Sequence, residues 1–68
     1  MIVVASQLSR LRRERKLMLK DVAVRVGIAA NTLCQFEKGR ARPSFEVLCA
    51  LADYYEVTLD YLVRGLDE

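Results

Sequence analysis

The chain has 68 residues, a net charge of +2 and no histidine. A chain this short buries only about 60% of the surface it exposes unfolded, which excludes a second domain and leaves one domain with a marginal core. Its two cysteines, Cys34 and Cys49, form no CxxC pair; that excludes a structural zinc site and a disulfide framework, so no cofactor is expected and the thiols read as reduced, in a cytoplasmic protein.

Met1 to Ala5 is too brief an apolar run, with no basic residue ahead of it, to read as a secretory signal. No stretch approaches the ~20 apolar residues of a membrane span, so no membrane partner is expected. Val4, Leu8, Leu11 and Arg15 share one helical face and predict a first helix from Val4 to Lys16, with Arg10, Arg13 and Lys16 on its outer side. Val22, Ala23 and Val26 predict a second helix from Leu19 to Val26, with Asp21 in its first turn complementing the helix dipole. Gly27 and Ile28 make the turn. Leu33 and Phe36 point a third helix, Ala30 to Lys38, inward, and Gly39 ends it. Met18 and Ala29 stand where Ser, Thr, Asp or Asn would cap these two helices, at a cost of about 1 kcal/mol each.

Gly39 to Pro43 reads as a loop. Ser44 caps a fourth helix that runs to Tyr55, with Phe45, Leu48, Leu51, Ala52 and Tyr55 as its apolar stripe. Thr58 caps a fifth, with Leu59, Leu62, Val63 and Leu66 on one face and Gly65 weakening its end. Strand signals are absent: there is no alternating β-branched run and no Asn-Gly or Asp-Gly turn. The expectation is an all-α domain of five short helices. Its core would be Leu8, Leu11, Leu17, Val22, Ala23, Val26, Ile28, Leu33, Phe36, Leu48, Leu51, Ala52, Val57, Leu59 and Leu62.

The small net charge hides a division. Residues 1–42 carry ten Lys/Arg against three acids, a net +7, whereas residues 43–68 carry Arg64 against six acids, a net −5. A polyanion at the basic end is the natural partner. That end also holds the third helix, whose outward residues Ala30, Asn31, Cys34, Gln35 and Lys38 share one side. Such a surface suits base-pair edges in a DNA major groove, where Asn and Gln can bond adenine and Ala can touch the thymine methyl.

The run Leu8-Ser9-Arg10-Leu11-Arg12, then Val22-Ala23, Val26-Gly27-Ile28, Thr32-Leu33, Phe36-Glu37-Lys38-Gly39, Arg42-Pro43-Ser44, Leu51-Ala52 and Val57-Thr58-Leu59-Asp60-Tyr61-Leu62 resembles the Cro/repressor-type (Xre-like) helix-turn-helix regulators of bacteria and phages. The resemblance covers nearly the whole chain. It implies a lambda-repressor-like fold of five helices, operator binding as a two-fold dimer and no enzymatic activity. It also implies an ion pair between Arg12 and Glu37 beneath the third helix. Two departures stand out: Leu19 occupies the place of the family's usual Gln at the start of the second helix, and Met18 and Ala29 replace its usual Ser or Thr.

The residues expected to read bases are Asn31 and Gln35, with Ala30 and Cys34 beside them. Thr32, Lys38, Arg40 and Arg42 are expected at phosphates, and Arg10, Arg13 and Lys16 are weaker candidates for the same role. Tyr54, Tyr55, Tyr61, Val63 and Leu66 exceed what one small core can cover, and Tyr55, Tyr61, Val63 and Leu66 are expected in a homodimer interface. No Gly-rich phosphate loop, clustered carboxylates or base for a Ser or Cys nucleophile is present, so an enzyme is not expected, and no small-molecule ligand is evident. The alternative is a protein-interaction module of the same fold, for a toxin or a co-regulator. The apolar Met18, Leu19, Ala29 and Ala30 speak for it; Arg40, Arg42 and the basic half speak for double-stranded DNA.

Overall fold

Five helices follow one another in the computed structural model, which describes residues 2–65. They are α1 (Ile2–Glu14), α2 (Leu19–Val26), α3 (Ala30–Glu37), α4 (Phe45–Tyr55) and α5 (Leu59–Arg64), and the described residues form no strand. α1 packs on α3 and α5, α2 on α3 and α4, and α4 on α5. Each helix sends a short apolar stripe to one centre: Val4, Leu8 and Leu11 from α1, Val22 and Ala23 from α2, Leu33 and Phe36 from α3, Leu48, Leu51, Ala52 and Tyr55 from α4, and Leu62 from α5. Leu17, Val26, Ile28, Val57 and Leu59, expected inside, lie partly buried at the margin of this core. They sit at helix ends and in turns, where the chain passes over the surface.

The helix ends explain where the structure departs from the spacing. α1 stops at Glu14, short of Lys16, because Lys16 takes a left-handed conformation (φ 56°). The amides of Lys16 and Leu17 then fold back onto the carbonyls of Arg13 and Arg12, closing a Schellman motif. α4 ends the same way at Glu56 (φ 58°), with Val57 N–H bonded to Ala52 O at 3.0 Å. Neither stop carries the glycine that marks such an end in a sequence. A left-handed residue with a Cβ costs about 1–2 kcal/mol, so Glu56→Gly is expected to stabilise the domain by about 1 kcal/mol once the extra freedom of glycine in the unfolded chain is discounted. Urea unfolding of the two proteins checks it, and an unchanged midpoint would count against strain at this position.

The caps behave as their chemistry dictates. The Ser44 hydroxyl accepts from Val47 N–H at 3.2 Å, and the Thr58 hydroxyl from Tyr61 N–H at 3.0 Å. Met18 and Ala29 hold the extended backbone of an N-cap residue but supply no side-chain acceptor.

Two apolar residues of the C-terminal half stand out, and the second requires correction. Phe45, on the stripe of α4 but outside the expected core, is 70% exposed. It is the first residue of that helix, and helical side chains lean towards the N-terminus, so its ring projects beyond the core. Tyr55 was expected at a dimer interface, yet it is fully buried within the monomer. Its ring meets Tyr54 edge to face at 5.0 Å, and the Arg15 guanidinium lies 5.2 Å from its centroid while donating to its carbonyl at 2.7 Å. Being on the central stripe of α4, it has no surface left for a partner.

The Tyr55 hydroxyl is buried without a hydrogen-bond partner among the described residues. Burial, and secondarily the charge of Glu37, pushes its phenol up to about 12. The unfolded chain releases this proton near pH 10 and the folded chain holds it, so stability is full below pH 10 and falls as pH rises towards 12. Tyr55→Phe is expected to match or exceed the wild type by about 1 kcal/mol at pH 7, because it removes an unsatisfied polar group. It is also expected to lose roughly 2 kcal/mol less than the wild type between pH 10 and 12. Thermal unfolding across that range would show parallel losses if this tyrosine were not responsible.

Candidate nucleic-acid interface

α3 is presented by the turn that precedes it. Gly27 is left-handed (φ 80°), and the amides of Gly27 and Ile28 bond Val24 O and Ala23 O at 3.3 and 3.0 Å. A Cβ at Gly27 would meet nothing within 4 Å, so it is the backbone conformation, not crowding, that asks for glycine here. Ile28 and Ala29 then lead into α3. Leu33 and Phe36 pin its inner face, at 1% and 7% exposure. Its other side is left outward: Asn31 is exposed, and Ala30, Thr32, Cys34 and Gln35 are half-buried. Neither the Asn31 nor the Gln35 amide bonds another described residue, so both keep their donors and acceptors for an external partner.

Past α3, Lys38 stays helical in conformation and Gly39 turns left-handed (φ 73°), its amide bonded to Phe36 O. Arg40 N–H closes the motif on Gln35 O at 3.0 Å. The loop that follows is exposed up to Arg42, and Pro43 is buried, anchoring it. Lys38, Arg40 and Arg42 are all exposed and form no ion pair with a described residue.

Beneath α3 the Arg12 guanidinium grips Glu37 with two parallel bonds, Nε to Oε2 at 2.8 Å and Nη2 to Oε1 at 3.0 Å. Its Nη1 also donates to Leu17 O at 3.0 Å. One side chain thus ties the last turn of α1, the α1–α2 loop and the last residue of α3. The Arg12 and Glu37 side chains are only 16% and 7% exposed. The bond to Glu37 raises the Arg12 pKa above its ordinary value, against the effect of burial, so the guanidinium stays charged.

Arg10 does not serve as a free cation. It bonds Gln7 Oε1 at 2.9 Å, Glu14 Oε2 at 2.9 Å and the Tyr61 hydroxyl, and lies over the Tyr61 ring at 5.6 Å. Gln7 Nε2 donates to Tyr61 O at 3.2 Å, completing a latch between α1 and α5. The spacing of Gln7, Arg10 and Glu14 at i, i+3 and i+7 hints at the part within α1; the contact with Tyr61, 51 residues away, exists only in the fold. Tyr61 and Val63 are half-buried; Leu66 lies outside the described residues. Among the described residues no helix is long and apolar enough to cross a membrane.

The family model described as a helix-turn-helix domain matches residues 4–64. The chain is 39% identical over 64 residues to the HTH-type transcriptional regulator DdrOP3 of Deinococcus deserti, covering 94% of this chain and 50% of that protein. It is 39% identical over 57 residues to the HTH-type transcriptional regulator AnsR of Bacillus subtilis, covering 84% of this chain and 49% of that one. The chain thus spans about half the length of these curated relatives. Among solved structures, the P22 c2 repressor protein in complex with a synthetic operator superposes with a TM-score of 0.90 at 23% identity, covering 97% of this chain and 100% of that chain. With the five-helix architecture, the α2-turn-α3 unit and a family match across almost its whole length, this chain belongs to the Cro/repressor-type (Xre-like) helix-turn-helix family.

Proposed function

We propose that this chain is a sequence-specific transcriptional regulator that binds double-stranded DNA, with α3 in the major groove, as a homodimer on a palindromic operator. The observation that carries the reading is the outward side of α3 and the loop after it: two amides, Asn31 and Gln35, one turn apart, then the cations Lys38, Arg40 and Arg42, none of these side chains having a polar partner among the described residues. Amides one helical turn apart lie about 6 Å from each other along the axis, within reach of neighbouring base pairs. Asn31 and Gln35 read bases, with Ala30 and Cys34 packed beside them, while Thr32 and the three cations hold phosphates. One helix reads too few base pairs to find an operator, so two copies are needed. The half-buried Tyr61 and Val63 of α5 are the surface left for that pairing, on the acidic half that faces away from DNA. The relatives named transcriptional regulators support this reading.

In-vitro selection from a random DNA pool at two salt concentrations tests it. The expected product is an inverted repeat with half-sites about one helical turn apart and an affinity that falls steeply with salt. No enrichment would remove base readout and turn the search to a protein partner for the same face. Monomer alone in sedimentation at high micromolar concentration would remove the dimer.

A further inference from the structure

Beside the end of α3 an open groove of about 590 Å³ separates it from the outer side of α1. Ser9, Arg10 and Arg13 line one wall, and Glu37, Lys38 and Gly39 the other. The charges of this groove are not all available. Both Glu37 oxygens are held by Arg12, and Arg10 is held by Gln7, Glu14 and Tyr61. What remains is Arg13 and Lys38, each exposed and without an ion pair among the described residues, and the Ser9 hydroxyl, which bonds no other described residue. The groove therefore offers two free cations and a hydroxyl beside a neutralised carboxylate, the donor set for one tetrahedral oxyanion.

Its place selects the source of that anion. Lys38 stands seven residues from Asn31, on the same stripe as the amides. A helix of eight residues is about 12 Å long, comparable to the ~12 Å width of the major groove, so an α3 seated there ends against a bordering strand. At the start of α2, by contrast, Met18 and Leu19 present no polar side chain.

We propose that Arg13 and Ser9 of α1, together with Lys38, clamp a DNA backbone phosphate next to the end of α3, making α1 a positioning element of the interface. This rests on the DNA-binding reading above and deepens it. A phosphate contact sets orientation without reading sequence, so its loss weakens every duplex alike.

The test is a salt titration of DNA affinity on the selected operator and on a scrambled duplex, for wild type, Arg13→Gln, Arg13→Lys, Lys38→Gln and Arg42→Gln. Arg13→Gln and Lys38→Gln are each expected to reduce the slope of log affinity against log salt by about 1 per subunit, so that the loss between 50 and 200 mM salt shrinks about fourfold for each subunit bound. Both duplexes should weaken by the same factor, the melting temperature should hold, and Arg13→Lys should keep the slope of the wild type. A wild-type slope in Arg13→Gln alongside a lowered slope in Arg42→Gln would overturn the clamp and leave DNA binding intact. Absence of DNA binding by the wild type would overturn both.

Discussion

Glu37→Gln is expected to lower the unfolding free energy by about 3 kcal/mol, near the lower end of what breaking a buried ion pair costs. The amide keeps an acceptor for one Arg12 bond but strands the guanidinium charge, only 16% exposed, with no counter-charge. For a domain of this size the stability is only about 3–10 kcal/mol. The loss corresponds to a fall in melting temperature of roughly 12–24 °C. Arg12→Leu is expected to cost at least as much, because it also removes the bond to Leu17 O and leaves the buried Glu37 carboxylate alone. The double variant Arg12→Leu with Glu37→Leu should recover part of the loss, since two apolar side chains leave no charge stranded. Thermal and urea unfolding of the wild type, Arg12→Leu, Glu37→Leu and the double variant forms the cycle, with Glu37→Gln measured beside it. A Glu37→Gln protein as stable as the wild type would show that the pair contributes little to holding α1 against α3. The DNA affinity of Glu37→Gln at a temperature where it is folded adds a second readout: Glu37 is the last residue of α3, so a slackened pair should weaken binding too.

Replacing both amides, Asn31→Ala with Gln35→Ala, is expected to abolish discrimination between operator and scrambled DNA. Each bidentate amide-to-base contact discriminates by about 1–3 kcal/mol, so a pair of them per half-site amounts to roughly 30- to 20,000-fold. Non-specific affinity, carried by Lys38, Arg40 and Arg42, should change little. Stability should also hold, because neither amide bonds the rest of the described fold. Gln35→Glu sharpens the test: a carboxylate only accepts, so its preferred base should move from adenine towards cytosine. Competition binding and a repeated selection read these outcomes. Unchanged discrimination in the double alanine variant would mean that sequence is read elsewhere or by DNA shape.

The helices of this chain are legible from the sequence where their signals are local. Apolar spacing places α2, α4 and the body of α3, and Ser44 and Thr58 mark two helix starts through hydroxyls that the structure shows bonded to Val47 and Tyr61 amides. Gly27 and Gly39 mark two ends because only glycine takes a left-handed conformation without cost. The ends at Lys16 and Glu56 carry no such mark. There the surrounding packing imposes a conformation that the residues themselves disfavour, and the first helix consequently stops earlier than its apolar spacing predicts.

Residue order alone dictates five short helices over the described residues, a basic half and an amide-bearing helix face, because those properties arise along single helices. Which polar groups stay without a partner among the described residues depends instead on how the helices pack. Arg10 and Arg13 are three residues apart on one helix and look alike in the sequence; the fold brings Tyr61 to the first and leaves the second facing an open groove. Tyr55 and Tyr61 likewise both read as surplus aromatic surface, and the packing of α4 seals one completely while α5 keeps the other at the margin. The reason is physical: helical periodicity is set by neighbours within a turn or two, whereas the partner of a long side chain is set by whatever distant element the core draws against it.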